Sequence, residues 1–325
     1  METALIAPQR DDQAAALVAV QDAHERAREF IQNAKASSTV RGYRSDWRSF
    51  ETWCTASGLS ALPAAPETVA LYLASKAAVL KPATLTRHMA AIAKAHQAAG
   101  HESPASMRHA AVSEVLKGIR RTKGVAQVRK SPLLAAQLIR ALAVMRTDLV
   151  GLRDRALLLI GFAGAFRRSE LVALDVSDVE IGEDGIAVTL RRSKTDQEGA
   201  GRKIGIPRGS SRDTCPVRSM QAWLAAASIT EGPLFRSVNR HGRVGGRLSD
   251  KHVAIVVKEA AAPIGLDAKS FAGHSLRAGL VTSAAILGRS DRSIMNQTGH
   301  RSVAMVQRYV RDASLFRDNA AQGLL

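Results

Sequence analysis

The 325-residue chain carries 46 Lys and Arg against 29 Asp and Glu, a formal charge of +17, and 46% of its residues are hydrophobic. That apolar fraction supports a folded core and excludes wholesale disorder or a collagen-like fibre, and the length makes two domains the default. Two cysteines, Cys54 and Cys215, cannot build a disulfide framework, no Cys/His cluster has zinc-site spacing, and no apolar run approaches the roughly 20 residues that span a bilayer. No basic start followed by an apolar block opens the chain, so it reads as cytoplasmic, without a membrane span, a metal or a cofactor. The charge excess falls on both halves: 16 basic against 11 acidic residues in 1–125, and 30 against 18 in 126–325. Such a distribution suits a protein that surrounds a polyanion, since each neutralised phosphate releases counterions.

Residues 1–35 are Ala-rich and polar and read as a flexible N-terminal segment. From Ser37-Ser38-Thr39, Tyr43, Trp47, Phe50 and Trp53 recur at steps of four, three and three, one stripe of a helix that ends near Gly58. Pro66 starts a second helix carrying Val69, Leu71, Tyr72 and Leu73. Pro82 opens a third, through Leu85, Met89 and Ile92 to Gly100, with Arg87, His88 and Lys94 on its polar positions. A fourth is predicted from about Ser106 to Ile119. These make a compact helical domain over 36–122, and the charged, Gly- and Pro-containing run Arg120 to Pro132 reads as an exposed linker, with the boundary at 123–131.

The second domain, 132–325, begins with helices at Leu133 to Met145, Arg153 to Phe166 and Ser169 to Leu174. Val179 to Ile181, a Gly182-Glu183-Asp184-Gly185 turn and Ile186 to Leu190 read as a hairpin. A polar loop and a third strand, Lys203 to Ile206, complete a small antiparallel sheet. Helices return at Val217 to Ala227, Ser249 to Ala261, Ser275 to Leu287, Ser290 to Gln297 and Val303 to about Val310, with a last one from Ser314. The fold class is mainly α with a small antiparallel β-sheet. Arg87, His88 and Lys94 on the third helix, and Arg243, Arg247 and Lys251 around Ser249, are typed for phosphates or guanine edges.

Taken singly, the chemistry-bearing residues have ordinary explanations. Arg167 and Glu170 could be an intrahelical ion pair, His274 and Arg277 share a helix face, and Tyr309 follows Val303 and Val306 at core spacing. Their order is another matter. Arg167-Arg168-Ser169-Glu170-Leu171, Lys194-Thr195, Gly273-His274-Ser275-Leu276-Arg277, Thr298-Gly299-His300 and then Tyr309 resembles the active-site series of the tyrosine recombinase (phage integrase) family. The resemblance covers residues 37–317, and the layout is most similar to that of Cre-type recombinases.

That resemblance implies a two-domain C-shaped DNA clamp, a helical core-binding domain followed by an α+β catalytic domain. It implies site-specific cleavage and rejoining of double-stranded DNA, with strands exchanged through a Holliday junction by a homotetramer on paired inverted half-sites. Attack on a phosphodiester builds negative charge on the nonbridging oxygens, and two guanidiniums, Arg167 and Arg277, suit those oxygens without a metal. Tyr309 matches the nucleophile, forming a 3′-phosphotyrosyl bond; the other tyrosines, Tyr43 and Tyr72, sit in apolar stripes. Lys194 matches the general acid for the 5′-hydroxyl. His274 would assist proton transfer from Tyr309, His300 would contact the phosphate, and Glu170 would orient the clamp. A phosphotyrosine keeps the energy of the cleaved bond, so ATP is not needed, and no GxxxxGK[ST] loop occurs. The segment from Asp312 to Leu325 matches the family's terminal helix that docks on a neighbouring protomer. Two alternatives stay open at this point: relaxation chemistry like that of a type IB topoisomerase, and a non-catalytic DNA-binding regulator.

Overall fold

The computed structural model describes residues 23, 26, 36–126, 129–191 and 201–313. The N-terminal segment, Lys194 with Thr195, and the terminal helix expected from Ser314 therefore lie almost wholly outside the described residues. The chain divides into two compact units, Met1–Gln127 and Val128–Leu325.

The first unit holds helices α1 (Ser37–Ala56), α2 (Pro66–Ala77), α3 (Pro82–Ala98) and α4 (Ala110–Lys123). Pro66 and Pro82 open their helices because the first helical position needs no amide hydrogen. The α1 stripe buries Phe50 fully, with Trp47 and Trp53 packed against the same cluster of Tyr72, Leu73, Leu85, Ile92 and Leu116. Phe50 meets the Tyr72 ring edge-on at 5.0 Å, a geometry that aligns ring quadrupoles. Tyr43 is only half-buried.

The fourth helix starts at Ala110, four residues after the expected Ser106. The Ser106 hydroxyl instead accepts from the Arg108 amide at 3.2 Å, a local turn that competes with helix. At the other end, Arg120, Arg121 and Lys123, expected in a linker, form the last turn of α4. Their charges oppose the negative end of the helix dipole, and the helix stops where Gly124 takes φ +71°.

In the second unit, α5 (Ala135–Ala143), α6 (Leu149–Ala163) and α7 (Arg168–Ala173) precede a three-stranded antiparallel sheet of β1 (Val179–Ile181), β2 (Gly185–Leu190) and β3 (Arg202–Pro207). Ile186 pairs with Ile206 and Val188 with Ile204, so alternate residues put Ile186, Val188, Leu190, Ile204 and Ile206 on one buried face. Then come α8 (Pro216–Ala226), the hairpin β4 (Arg236–Val238) and β5 (Val244–Arg247), α9 (Asp250–Ala261), α10 (Ser275–Ile286), α11 (Asp291–Thr298) and α12 (Val303–Ala313). Trp223 of α8 is fully buried in the shared core and donates its indole hydrogen to the Leu234 carbonyl.

Two departures have local causes. Helix α6 begins at Leu149, before the expected Arg153, because Asp148 caps it by accepting from the Gly151 amide. Arg153 is thereby a buried interior residue paired with Asp154. The β4–β5 hairpin was not anticipated, since Gly245 and Gly246 have poor strand propensity. The signal was in the turn: Asn239 accepts from the amides of His241 and Arg243, and Gly242 takes φ +75°.

Helix α10 carries much of the site, and its placement is tight. The extended segment before α5 lies against it, with the Leu133 amide bonded to the Ser275 carbonyl and the Ala135 amide to the Ser283 hydroxyl. A Cβ at Gly279 would come within 1.9 Å of the Leu133 carbonyl oxygen. Gly279→Ala is expected to force α10 outward and cost about 1–3 kcal/mol, the range for overpacking. A denaturant titration of the variant checks this.

Candidate active site

Three apolar side chains, Val281 of α10, Ile294 of α11 and Val306 of α12, form a small cluster with Tyr309 packed on its edge. Burying Val306 is what docks α12. One helical step of three residues then carries Tyr309 to the N-terminal end of α10. There the Tyr309 hydroxyl lies 2.9 Å from His274 Nε2.

Arg167 stands at the N-cap of α7 and Glu170 three residues on. Glu170 accepts from the Arg167 amide at 2.9 Å through one oxygen and from the Arg167 guanidinium through the other. The carboxylate is almost wholly buried while the guanidinium keeps some exposure, 3% against 19%. Arg277, in the first turn of α10, is 1% exposed. Its Nη1 donates to the Ala165 carbonyl at 2.7 Å, and its buried Nη2 has no partner among the described residues. Ala165 itself sits at φ +50°, a left-handed conformation costly to a residue with a Cβ. That bend turns its carbonyl to the guanidinium.

The electrostatics follow from crowding cations in a poorly solvated place. Burial, with Arg167 beside it, lowers the Arg277 pKa to about 10, which leaves it cationic at neutral pH. Burial, then Arg277 and Arg167, pushes His274 below its ordinary value. Burial, then Arg277, Arg167, His274 and Arg202, brings His300 down to about 4. Both imidazoles are thus neutral at neutral pH, and a neutral His274 can accept the Tyr309 proton. Paired guanidiniums, a neutral base on a phenol and, among the described residues, a single carboxylate make a cluster with surplus positive charge. It is built for an oxyanion.

Arg167, Glu170, His274, Arg277, His300 and Tyr309 come together from widely separated parts of the chain. Lys194 falls outside the described residues. Arg168, the neighbour of Arg167, pairs with Asp250 at 3.1 Å.

The expected DNA-reading set fares differently. His88 is 5% exposed, bonded to the Tyr72 hydroxyl at 2.7 Å and to Asp46 at 3.1 Å. It is an interior residue and its assignment to DNA is corrected. Arg87 gives both branches to Asp46, at 2.6 and 2.9 Å. Arg247 donates to the carbonyls of Val172 and Leu174 and to Asp175, stapling β5 to the end of α7, while its side chain stays partly exposed. Lys94, Arg243 and Lys251 are exposed.

Arg202 was not singled out in the sequence. It donates to the Asn296, Gln297 and Thr298 carbonyls, capping the C-terminal end of α11 just before His300. Its place beside Lys203 at the end of a polar loop makes it look like ordinary surface charge. Gly299 follows at φ +68°, and a Cβ there would strike the Arg202 guanidinium at 2.9 Å. Among the described residues, no group of three or more His, Cys, Asp or Glu could hold a metal ion, and no helix is long and apolar enough to cross a membrane.

Residues 132–315 match the phage integrase family. An integrase/recombinase xerD homolog of Selenomonas ruminantium is 40% identical over 300 residues, 91% of this chain and 87% of that protein. A tyrosine recombinase XerC of Myxococcus xanthus is 26% identical over 295 residues, covering 88% and 92%. The fold is similar to that of a XerH site-specific recombinase bound to a palindromic difH substrate (TM-score 0.56, 15% identity, 80% of this chain and 72% of that one). It is also similar to a lambda integrase dimer bound to a COC′ core site (TM-score 0.56, 18% identity, 89% and 94%). A helical unit followed by an α+β unit with a Tyr–His–Arg cluster defines the class, and the family match makes it particular: the chain belongs to the phage integrase family and is a tyrosine-type site-specific DNA recombinase.

The two depressed histidines set an acid limit. An unfolded chain binds protons at these rings near the ordinary 6.5, whereas the folded chain resists until about 4 at His300. Stability is therefore full above that window and is lost as pH falls through it. His300→Asn is expected to show a shallower drop in melting temperature between about pH 7 and 4.5 than the parent protein; scanning calorimetry across that range measures it.

Proposed function

We propose that Tyr309 is the nucleophile of a recombination reaction on double-stranded DNA, and the observation that carries this is the 2.9 Å approach of its hydroxyl to neutral His274 beside Arg277. The phenolic oxygen attacks the scissile phosphorus while its proton passes to His274 Nε2. A new P–O bond to tyrosine forms as the bond to the 5′-oxygen breaks, leaving a 3′-phosphotyrosyl link. Arg167 and Arg277 hold the nonbridging oxygens, whose charge grows in the transition state. Glu170 keeps Arg167 in orientation from both its backbone and its side chain. Lys194 protonates the departing 5′-oxygen, and His300 contacts the phosphate.

Because the phosphotyrosyl bond conserves the energy of the cleaved one, attack by a 5′-hydroxyl from a second duplex reseals DNA in the reverse sense, without ATP or a metal. Exchange between two duplexes runs through a Holliday junction in a homotetramer on paired inverted half-sites. The relatives named as recombinases and the neighbours solved on DNA support this reading. The enzyme then works in the cytoplasm, at the nucleoid, with Lys94, Arg243 and Lys251 as candidate phosphate contacts from its exposed surface.

Tyr309→Phe is expected to keep DNA binding and lose the covalent adduct on sheared genomic DNA of the source organism. A denaturant-stable adduct from this variant removes Tyr309 from the role. Lys194→Ala is expected to slow cleavage by roughly 10² to 10⁴, the span of a lost general acid. A 5′-thio leaving group, which needs no proton, restores the rate; failure of that rescue reassigns the acid.

A further inference from the structure

His300 follows a hydroxyl that has only one hydrogen to give. Thr298 Oγ1 lies 2.7 Å from the Ile294 carbonyl oxygen and 2.7 Å from His300 Nδ1. A carbonyl can only accept, so the threonine hydrogen goes to Ile294. The hydroxyl then meets Nδ1 with a lone pair, and Nδ1 must carry a hydrogen. Neutral imidazole has one N–H, which leaves His300 Nε2 as a bare acceptor.

A bare acceptor repels a phosphate oxygen. To contact that oxygen, the ring must become imidazolium, with Nδ1–H on Thr298 and Nε2–H on the phosphate. We propose that Thr298 is a positioning residue that holds His300 in the Nδ1–H form, so that engagement of a DNA phosphate takes up one proton at His300 Nε2. This deepens the reading of the site given above and rests on it.

The surroundings fit such a proton-coupled contact. Facing His300 are Arg277 and His274 at the start of α10, Arg167 before α7, Arg202 of β3 and Tyr309 of α12, whose ring centre is 6.3 Å away. Among the described residues, the one carboxylate in the cluster, Glu170, is engaged by Arg167. Burial first, and then Arg277, Arg167, His274 and Arg202, keep the ring neutral in the free protein. An entering phosphate supplies the missing negative charge and reverses that balance. The carbonyl cap by Arg202 and the Thr298 bond to Ile294 fix the turn that carries the ring. The proton comes from a hydronium ion or a buffer acid, so one O–H bond breaks as the Nε2–H bond forms.

Thr298→Val keeps the shape and removes the acceptor, which frees the ring to adopt the Nε2–H form and to donate to phosphate while neutral. Long-range proton–nitrogen NMR of the imidazole rings in the DNA-free protein, with His300 assigned by its loss in His300→Asn, reads the tautomer directly. The parent protein and Thr298→Ser are expected to hold Nδ1–H, and Thr298→Val is expected to shift toward Nε2–H. Covalent adduct formation on sheared genomic DNA is then compared between about pH 6 and 9. The parent is expected to match Thr298→Val at the acid end, where both rings donate as imidazolium, and to fall to about a tenth of it at the alkaline end, where only the valine variant donates from a neutral ring. The parent-to-Val ratio therefore shrinks as pH rises, and Thr298→Ser behaves as the parent.

An Nε2–H ring in the parent protein, a parent-to-Val ratio constant with pH, or a serine variant that behaves like valine overturns the proposal. The NMR arm needs no DNA, so it fails or holds independently of Tyr309, whose own role is decided by whether Tyr309→Phe forms the adduct.

Discussion

The site depends on keeping a guanidinium in the interior with too little negative charge around it. Arg277 is 1% exposed, tied by one branch to the Ala165 carbonyl, and its Nη2 has no partner among the described residues. Glu170 is the carboxylate within reach, and Arg167 already engages it. Burying a charge without full compensation is expensive, and the fold accepts that cost together with a left-handed Ala165. Burial first, and the surplus positive potential after it, hold both imidazoles neutral, and among the described residues the cluster is short of an anion. In the proposed reaction a phosphodiester supplies it, so that binding and chemistry draw on the same stored imbalance.

The excess of +17 over the whole chain works on a different scale. It draws a polyanion in over a Debye length but does not say which arginine meets it. Several conspicuous cations serve the fold. Arg247 staples β5 to the end of α7, Arg202 caps α11, and Arg87 is bound to Asp46. Each is spent on carbonyls or a carboxylate of the fold itself. Net charge therefore gives the class of partner, whereas the hydrogen-bond partners separate structural arginines from those left for a ligand.

Legibility along the chain varied with the range of the forces involved. The α1 stripe, the proline helix starts and the β1–β2–β3 sheet were all readable, because periodicity and turn chemistry act over a few residues. Local competition produced the misses. Ser106 took a turn instead of starting the helix, Asp148 started α6 early, and the glycines of β5 hid a hairpin whose turn residue, Asn239, was in plain view. In the site, the candidates Arg167, Glu170, His274, Arg277, His300 and Tyr309 were nameable from their order. Arg202 was not, because it reaches carbonyls 94 to 96 residues away.

The amino-acid order by itself determined the helical and sheet segments, the basic character and the series of boxes that carries the family resemblance, since each resides in short-range spacing or in composition. Only the tertiary structure decided that His88 is interior, that Arg247 is a staple, that Ala165 turns its carbonyl to a guanidinium 112 residues away, and that Thr298 hands His300 a lone pair. Those outcomes turn on which donor meets which acceptor after packing has excluded water. A buried polar group must take whatever partner the fold brings to it, and chain spacing does not name that partner.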